Sequence, residues 1–324
     1  MKIFIVTLLL SFLPYGLVSA ASSDRHVASK VKRENGSFIH YYLEYSPDKL
    51  RADTLLVAFQ GSDCNSIKHS NFTRDFSKVL WHSADLLLIE KPGLTSSLSH
   101  DSSAERPDCP DYYLNNDSPA QRVQDANAVV IQVLKGGSYR KVIAMGGSEG
   151  ATVAAMFAAE SGIPDAVVFI NGGGRWFLDD VLHNIKSTTS EHQMESELEG
   201  FKGFAEHVLE TDPFDIEMSN HGYTWWRSVL TIDQKSVLNQ IKVPTLVVQG
   251  GRDKSVSPKA LIEMIEDLRK EGKSNIELII YPEMDHGLSA RNGRQMAKEV
   301  SEDIASWLKT SLLPSPNNTN TAAR

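Results

Sequence analysis

At 324 residues the chain is long enough to bury a complete core, as one large domain or two small ones. Hydrophobic residues make up 41% of it and charged residues 23%, the ordinary balance of a soluble globular protein. The formal net charge of -8 and the absence of any basic block exclude nucleic acid as a natural partner, since nothing is gathered to neutralise phosphates.

The chain opens on Met1-Lys2, the apolar run "IFIVTLLLSFL" and then "PYGLVSA". A short cationic start, a brief apolar core and a Val-Ser-Ala ending predict a secretory signal peptide over residues 1–20, cut after Ala20. The run is too short to cross ~30 Å of hydrocarbon, so the expectation is a secreted or periplasmic protein with no stable membrane insertion after cleavage. In an oxidising compartment the only two cysteines, Cys64 and Cys109, favour a disulfide over the alternative of two buried thiols. Asn35, Asn71, Asn116 and Asn317 each head an N-x-S/T sequon, which matters only if the chain passes through an endoplasmic reticulum.

Next in order, "SFIHYYLEYSP" alternates polar and apolar residues and predicts an early antiparallel strand. Six continuous apolar runs follow: Asp53–Gly61, Ala84–Gly93, Lys141–Gly147, Asp165–Gly174, Val243–Gly251 and Asn275–Pro282. Continuous runs suit strands covered on both faces, as in a parallel sheet. Between them lie helix-period segments. One starts at Ser118-Pro119, one follows Glu149, one runs from Ser257-Pro258 to Gly272, and a long amphipathic one closes the pattern before Leu313. Strands alternating with helices predict an α/β fold with a mostly parallel central sheet flanked by helices. About residues 175–239 carry helical periodicity, charge and tryptophan but no buried strand, and are expected to form a helical cap insertion within a domain spanning 21–313. The polar tail 314–324 has no pattern and is expected to be disordered.

The segment Gly146-Gly147-Ser148-Glu149-Gly150 stands where a strand hands over to a helix. A tight turn alone would explain the glycines. A nucleophile held on a sharp strand-to-helix turn would explain them together with the serine, because the turn crowds any neighbour that carries a side chain. Such a serine needs a base, and the base needs an orienting acid. Asp253 follows one later strand in "GGRDKSVSP", and His286 follows the last in "PEMDHGLS". With ten histidines in the chain a single one means little. Three residue types in the order Ser, Asp, His, each just past a strand, point to Ser148, Asp253 and His286 as a catalytic triad.

On these motifs, together with the "VAFQGSD" and "LIEKPGLTSS" loops, the chain resembles the α/β-hydrolase superfamily from about Ser37 to Leu313. The layout is most similar to dienelactone-hydrolase-like and prolyl-oligopeptidase-like members. The resemblance implies an oxyanion hole made by the backbone amides of Glu149 and Ser62. Gln60-Gly61 stands where many relatives carry His-Gly, which leaves Asp63 as the rival second donor. It also puts Cys64 and Cys109 on the same carboxyl-end rim of the sheet, where a bridge would brace the oxyanion loop. It further implies an acyl-enzyme on Ser148, formed from an ester, thioester or amide of a small molecule or peptide, with no metal and no cofactor. Trp176, Phe177, Trp225 and Trp226 would either line a substrate pocket or pack the cap onto the sheet. Glu149 and Asp63 would place acidic charge near the mouth, suited to cationic substrates. The competing readings are a serine peptidase of the prolyl-oligopeptidase-like type, an acyl transferase, and a non-catalytic binding module on the same fold.

Overall fold

A computed structural model describes residues 26–47, 52–101 and 106–312. The leader and the tail expected from the sequence lie outside those residues. Eight strands form one sheet: β1 (His26–Lys32), β2 (Phe38–Glu44), β3 (Thr54–Phe59), β4 (Asp85–Ile89), β5 (Lys141–Gly147), β6 (Ala166–Ile170), β7 (Thr245–Gly250) and β8 (Ile276–Tyr281). Their spatial order is β1-β2-β4-β3-β5-β6-β7-β8. The two pairings of β2, with β1 and with β4, are antiparallel, and every other pairing is parallel.

The helices in chain order are α1 (Asn71–Leu80), α2 (Asp111–Asn116), α3 (Pro119–Gly136), α4 (Glu149–Ser161), α5 (Phe177–Thr188), α6 (Glu191–Glu210), α7 (Tyr223–Thr231), α8 (Gln234–Gln240), α9 (Pro258–Lys270) and α10 (Ala297–Leu312). Both faces of the sheet are covered, which is why the strands read as continuous apolar runs. Successive strand residues point to opposite faces. Leu55, Val57, Ala144, Val167, Phe169 and Val247 enter the layer built from α3, α4 and α9. Leu56, Ala58, Ile143, Met145, Val168 and Val248 enter the layer built from α1 and α10. Ser118, at the head of α3, caps it by accepting from the Gln121 amide, and Ser257 does the same for α9 through the Ala260 amide.

Three elements, β1, α1 and the short α2, have no counterpart in the strand and helix pattern read from the sequence. β1 is a mostly exposed edge strand, with no apolar run to announce it. Helix α1 is capped by Ser70 and buries Phe76 and Leu80, while Phe72 on the same face stays 55% exposed. The segment between β6 and β7 consists of α5–α8, with an aromatic cluster of its own: Trp225, Trp226, Phe177, Phe201 and Phe204.

The strand order reverses at β3. The chain leaves it for β4 on one side and then crosses back to β5 on the other. Phe59 therefore lies level with Gly146, and the loops leaving β3 and β5 meet in the crevice that such a reversal opens.

Candidate active site

The turn between β5 and α4 is shaped by what its glycines must avoid. A Cβ on Gly146 would lie 1.9 Å from the Gly150 carbonyl oxygen, and one on Gly150 would lie 2.3 Å from that of Phe59. With both positions bare, the strand can turn directly into the helix and α4 can sit against β3. Ser148 occupies the apex at φ 55 and ψ -133, a conformation L residues rarely take. Its own amide donates to the Ile170 carbonyl at 2.9 Å, so the strained residue is tied to β6.

Asp253 and His286 meet across the ends of β7 and β8. His286 Nδ1 lies 2.7 Å from Asp253 Oδ2. The Asp253 side chain is fully buried and also accepts from the amides of Ser255 and Val256 at 2.8 and 3.0 Å, and from Gln249 Nε2 at 3.2 Å. These donors hold the carboxylate in one orientation. Asn171, just past β6 at φ 47, locks the same corner. Its Oδ1 accepts from the Gly250 amide at 2.9 Å and its Nδ2 donates to the His286 carbonyl at 3.0 Å. Nothing in the sequence reading singled out Asn171. Its signal was a polar residue at the carboxyl end of a buried strand, directly before three glycines.

Ser148 and His286 line one pocket of about 380 Å³, together with Gln60, Gly61, Asp63 and the apolar side chains Phe72, Phe76, Met145, Ile170 and Leu288. The turn after β3 rests on Ser148: a Cβ on Gly61 would be 3.5 Å from Ser148 Cβ. The loop that follows is anchored on several sides. Cys64 is joined to Cys109 with their Cα atoms 6.0 Å apart. Arg106 Nη1 donates to the Cys64 carbonyl at 3.0 Å. Buried Lys91 donates through Nζ to the Asp63 carbonyl, and burial pushes its pKa down. Of the two oxyanion positions expected at this loop, Ser62 borders a 70 Å³ recess shared with Ser148 and Glu149, whereas Asp63 borders the 380 Å³ pocket.

Two expectations need correcting. The Glu149 side chain does not offer charge at the mouth, because the first turn of α4 points it into the protein. There its Oε1 accepts from Trp225 Nε1 at 2.7 Å, and Arg122 Nη1 lies 3.4 Å from its Oε2. Burial raises the Glu149 pKa against the opposing pull of Arg122. Arg122 is itself held by Asp117, Nε to Oδ1 at 2.8 Å, so a buried charge network absent from the sequence reading backs the turn that carries Ser148. The second correction concerns Trp176. It is 37% exposed, lies under the Arg175 guanidinium and lines none of the cavities among the described residues around the site. Phe177, Trp225 and Trp226 do line a cavity, of about 950 Å³, beneath α5–α7. Asp63, Asn65 and His100 border both this cavity and the Ser148 pocket, which makes the two neighbours.

Comparison with known proteins agrees with the fold. Residues 196–314 match the prolyl oligopeptidase family of peptidases. No curated protein sequence matches the chain significantly. Among solved structures, Est1E from Butyrivibrio proteoclasticus superposes with a TM-score of 0.58 at 14% identity, over 88% of this chain and 98% of that one. An esterase from Pyrococcus furiosus gives 0.61 at 15% identity, over 90% and 93%. The acylaminoacyl peptidase of Pyrococcus horikoshii gives 0.61 at 11% identity, over 90% of this chain but 42% of its own. The chain therefore has the α/β-hydrolase fold on which these esterases and the peptidase superpose, with a strained serine between β5 and α4 and an Asp–His pair past β7 and β8.

Proposed function

We propose that the protein is an exported serine hydrolase that cleaves an acyl ester, thioester or amide through an acyl-enzyme on Ser148. The observation that carries this reading is the 2.7 Å His286–Asp253 pair, which shares a pocket with a serine held at φ 55. His286, with Nδ1 tied to Asp253, has Nε2 left to take the Ser148 proton as Oγ attacks the acyl carbonyl. The amides of Glu149 and Ser62 receive the oxyanion. The imidazolium then protonates the leaving group, and water, deprotonated by the same histidine, releases the acid. The apolar walls of the 380 Å³ pocket suit a carbon-rich acyl or leaving group. Est1E has been seen with ferulic acid bound, and an aromatic acid of that kind is a reasonable first acyl group to try. Export follows from the leader and is compatible with the Cys64–Cys109 bridge.

The peptidase reading draws on the family match over residues 196–314, which spans the helices α6–α10 and both the Asp253 and His286 loops. Parallel assays on p-nitrophenyl esters and aminoacyl-arylamides separate the two. The test common to both is labelling of the purified protein with a fluorophosphonate. Wild type should label, and Ser148→Ala and His286→Ala should not; a folded wild type that resists labelling would favour a binding module on this fold.

A further inference from the structure

Oxyanion stabilisation works only if its donors are already in place when charge develops. In this protein both expected donor positions are held by side chains from one short stretch, His221 to Trp225, at the head of α7. His221 is buried, with Nε2 3.2 Å from the Ser62 carbonyl oxygen and Nδ1 3.3 Å from the Tyr113 hydroxyl. A carbonyl can only accept, so Nε2 carries the proton and Nδ1 accepts from Tyr113. Trp225 lies flat on this imidazole, with ring centroids 3.6 Å apart and planes 9° apart. From the same position its Nε1 donates to the Glu149 carboxylate at 2.7 Å.

We propose that His221 and Trp225 are positioning residues that set the oxyanion hole from the helical segment between β6 and β7, His221 through the Ser62 peptide and Trp225 through Glu149. This rests on the serine-hydrolase reading above. A peptide unit is a rigid plane, so a hydrogen bond to the Ser62 carbonyl fixes the plane that also carries the Asp63 amide, the rival second donor, and through the Ser62 Cα it restrains the preceding plane that carries the Ser62 amide. The next two carbonyls of the loop, Asp63 and Cys64, are held by Lys91 and Arg106, which belong to loops after β4. Only the Ser62 carbonyl is held from the β6–β7 segment, and only there does this segment reach the loop's backbone through a described hydrogen bond. Burial pushes the His221 pKa down to about 3, so the ring stays neutral and the tautomer does not change at working pH. His221, Trp225 and Ser62 also border the 950 Å³ cavity, so a substrate group lodged there would press on the two rings that hold the hole.

Steady-state kinetics on an aryl ester, with thermal unfolding of each variant, test this. His221→Gln keeps a donor near the place of Nε2, His221→Leu removes it, and Trp225→Phe keeps a ring on the stack but removes the N–H. We expect His221→Leu and Trp225→Phe to lower kcat about 10- to 100-fold with KM changed less than about threefold, and His221→Gln to recover most of kcat. Folded His221→Leu with wild-type kcat, a loss carried by KM alone, or Gln no better than Leu would overturn the proposal. Should His221→Leu not fold, Trp225→Phe reads the same loss, and its unchanged kcat would overturn it equally. Activity that survives Ser148→Ala instead removes the serine-hydrolase reading and this inference with it; Ser148-dependent activity with unaltered variants removes only the inference.

Discussion

Gly146 and Gly147 are adjacent in the same turn but face different constraints. A Cβ on Gly146 runs into the backbone of Gly150, whereas one on Gly147 meets only the Ile170 carbonyl, at 4.0 Å. Gly146→Ala should therefore push β5 and α4 apart, cost about 3 kcal/mol and abolish fluorophosphonate labelling. Gly147→Ala should fold and label nearly as wild type. Chemical denaturation alongside the probe checks both, and equal effects at the two positions would show that the elbow is not what distinguishes them. At this scale the sequence was informative because local geometry is involved: Gly-x-Ser-x-Gly after a buried strand states its own steric requirement. Glu149 shows the opposite case. Its place after the serine could be read, but whether its carboxylate faced solvent or Trp225 depended on a tryptophan 76 positions away.

Among elements, α5 is tied to the Asp253 corner by Asp180. Its carboxylate accepts from the Gly174 amide at 3.0 Å and the Ser257 amide at 2.8 Å, which joins the start of α5 to the start of α9. Burial drives its pKa up from 3.8 to about 7, only partly offset by those amides. Between those values the folded protein binds a proton that the unfolded chain releases. The contribution of this group to stability is therefore complete below about pH 4 and is lost as pH rises through 7, a swing on the order of 4 kcal/mol. Asp180→Asn, which cannot ionise, should gain on wild type over that range, its relative Tm rising by about 5–10 °C between pH 4 and pH 8. A constant difference across pH would mean that Asp180 does not titrate there. The helices of this segment were legible as periodicity, yet the roles of their tryptophans were not. Trp176 and Trp225 are the same residue type in one segment, yet tertiary packing left one partly exposed and laid the other on His221. Helix α1 escaped notice because its one-sided face, Phe72, Phe76 and Leu80, is short and interrupted by charge.

For the molecule as a whole, the Cys64–Cys109 bridge closes 45 residues of chain and pins the loop after β3 to the segment ahead of α2. Replacing both cysteines by alanine should cost about 2–4 kcal/mol and lower Tm by about 3–8 °C. If Tm does not move, the loop is held by Lys91 and Arg106 alone. The sequence by itself determined the α/β class and the strands buried on both faces, and it offered Ser148, Asp253 and His286, in that order along the chain, as candidates for a site. Each of these rests on local pattern: an apolar run, a glycine turn, a polar residue just past a strand. Only the tertiary structure decided that β3 lies between β4 and β5, so that the Ser62 loop rests on Ser148, and that His221 reaches that loop from the β6–β7 segment. Those contacts join residues 159 and 76 positions apart, and no periodicity or motif records a hydrogen bond made across the fold.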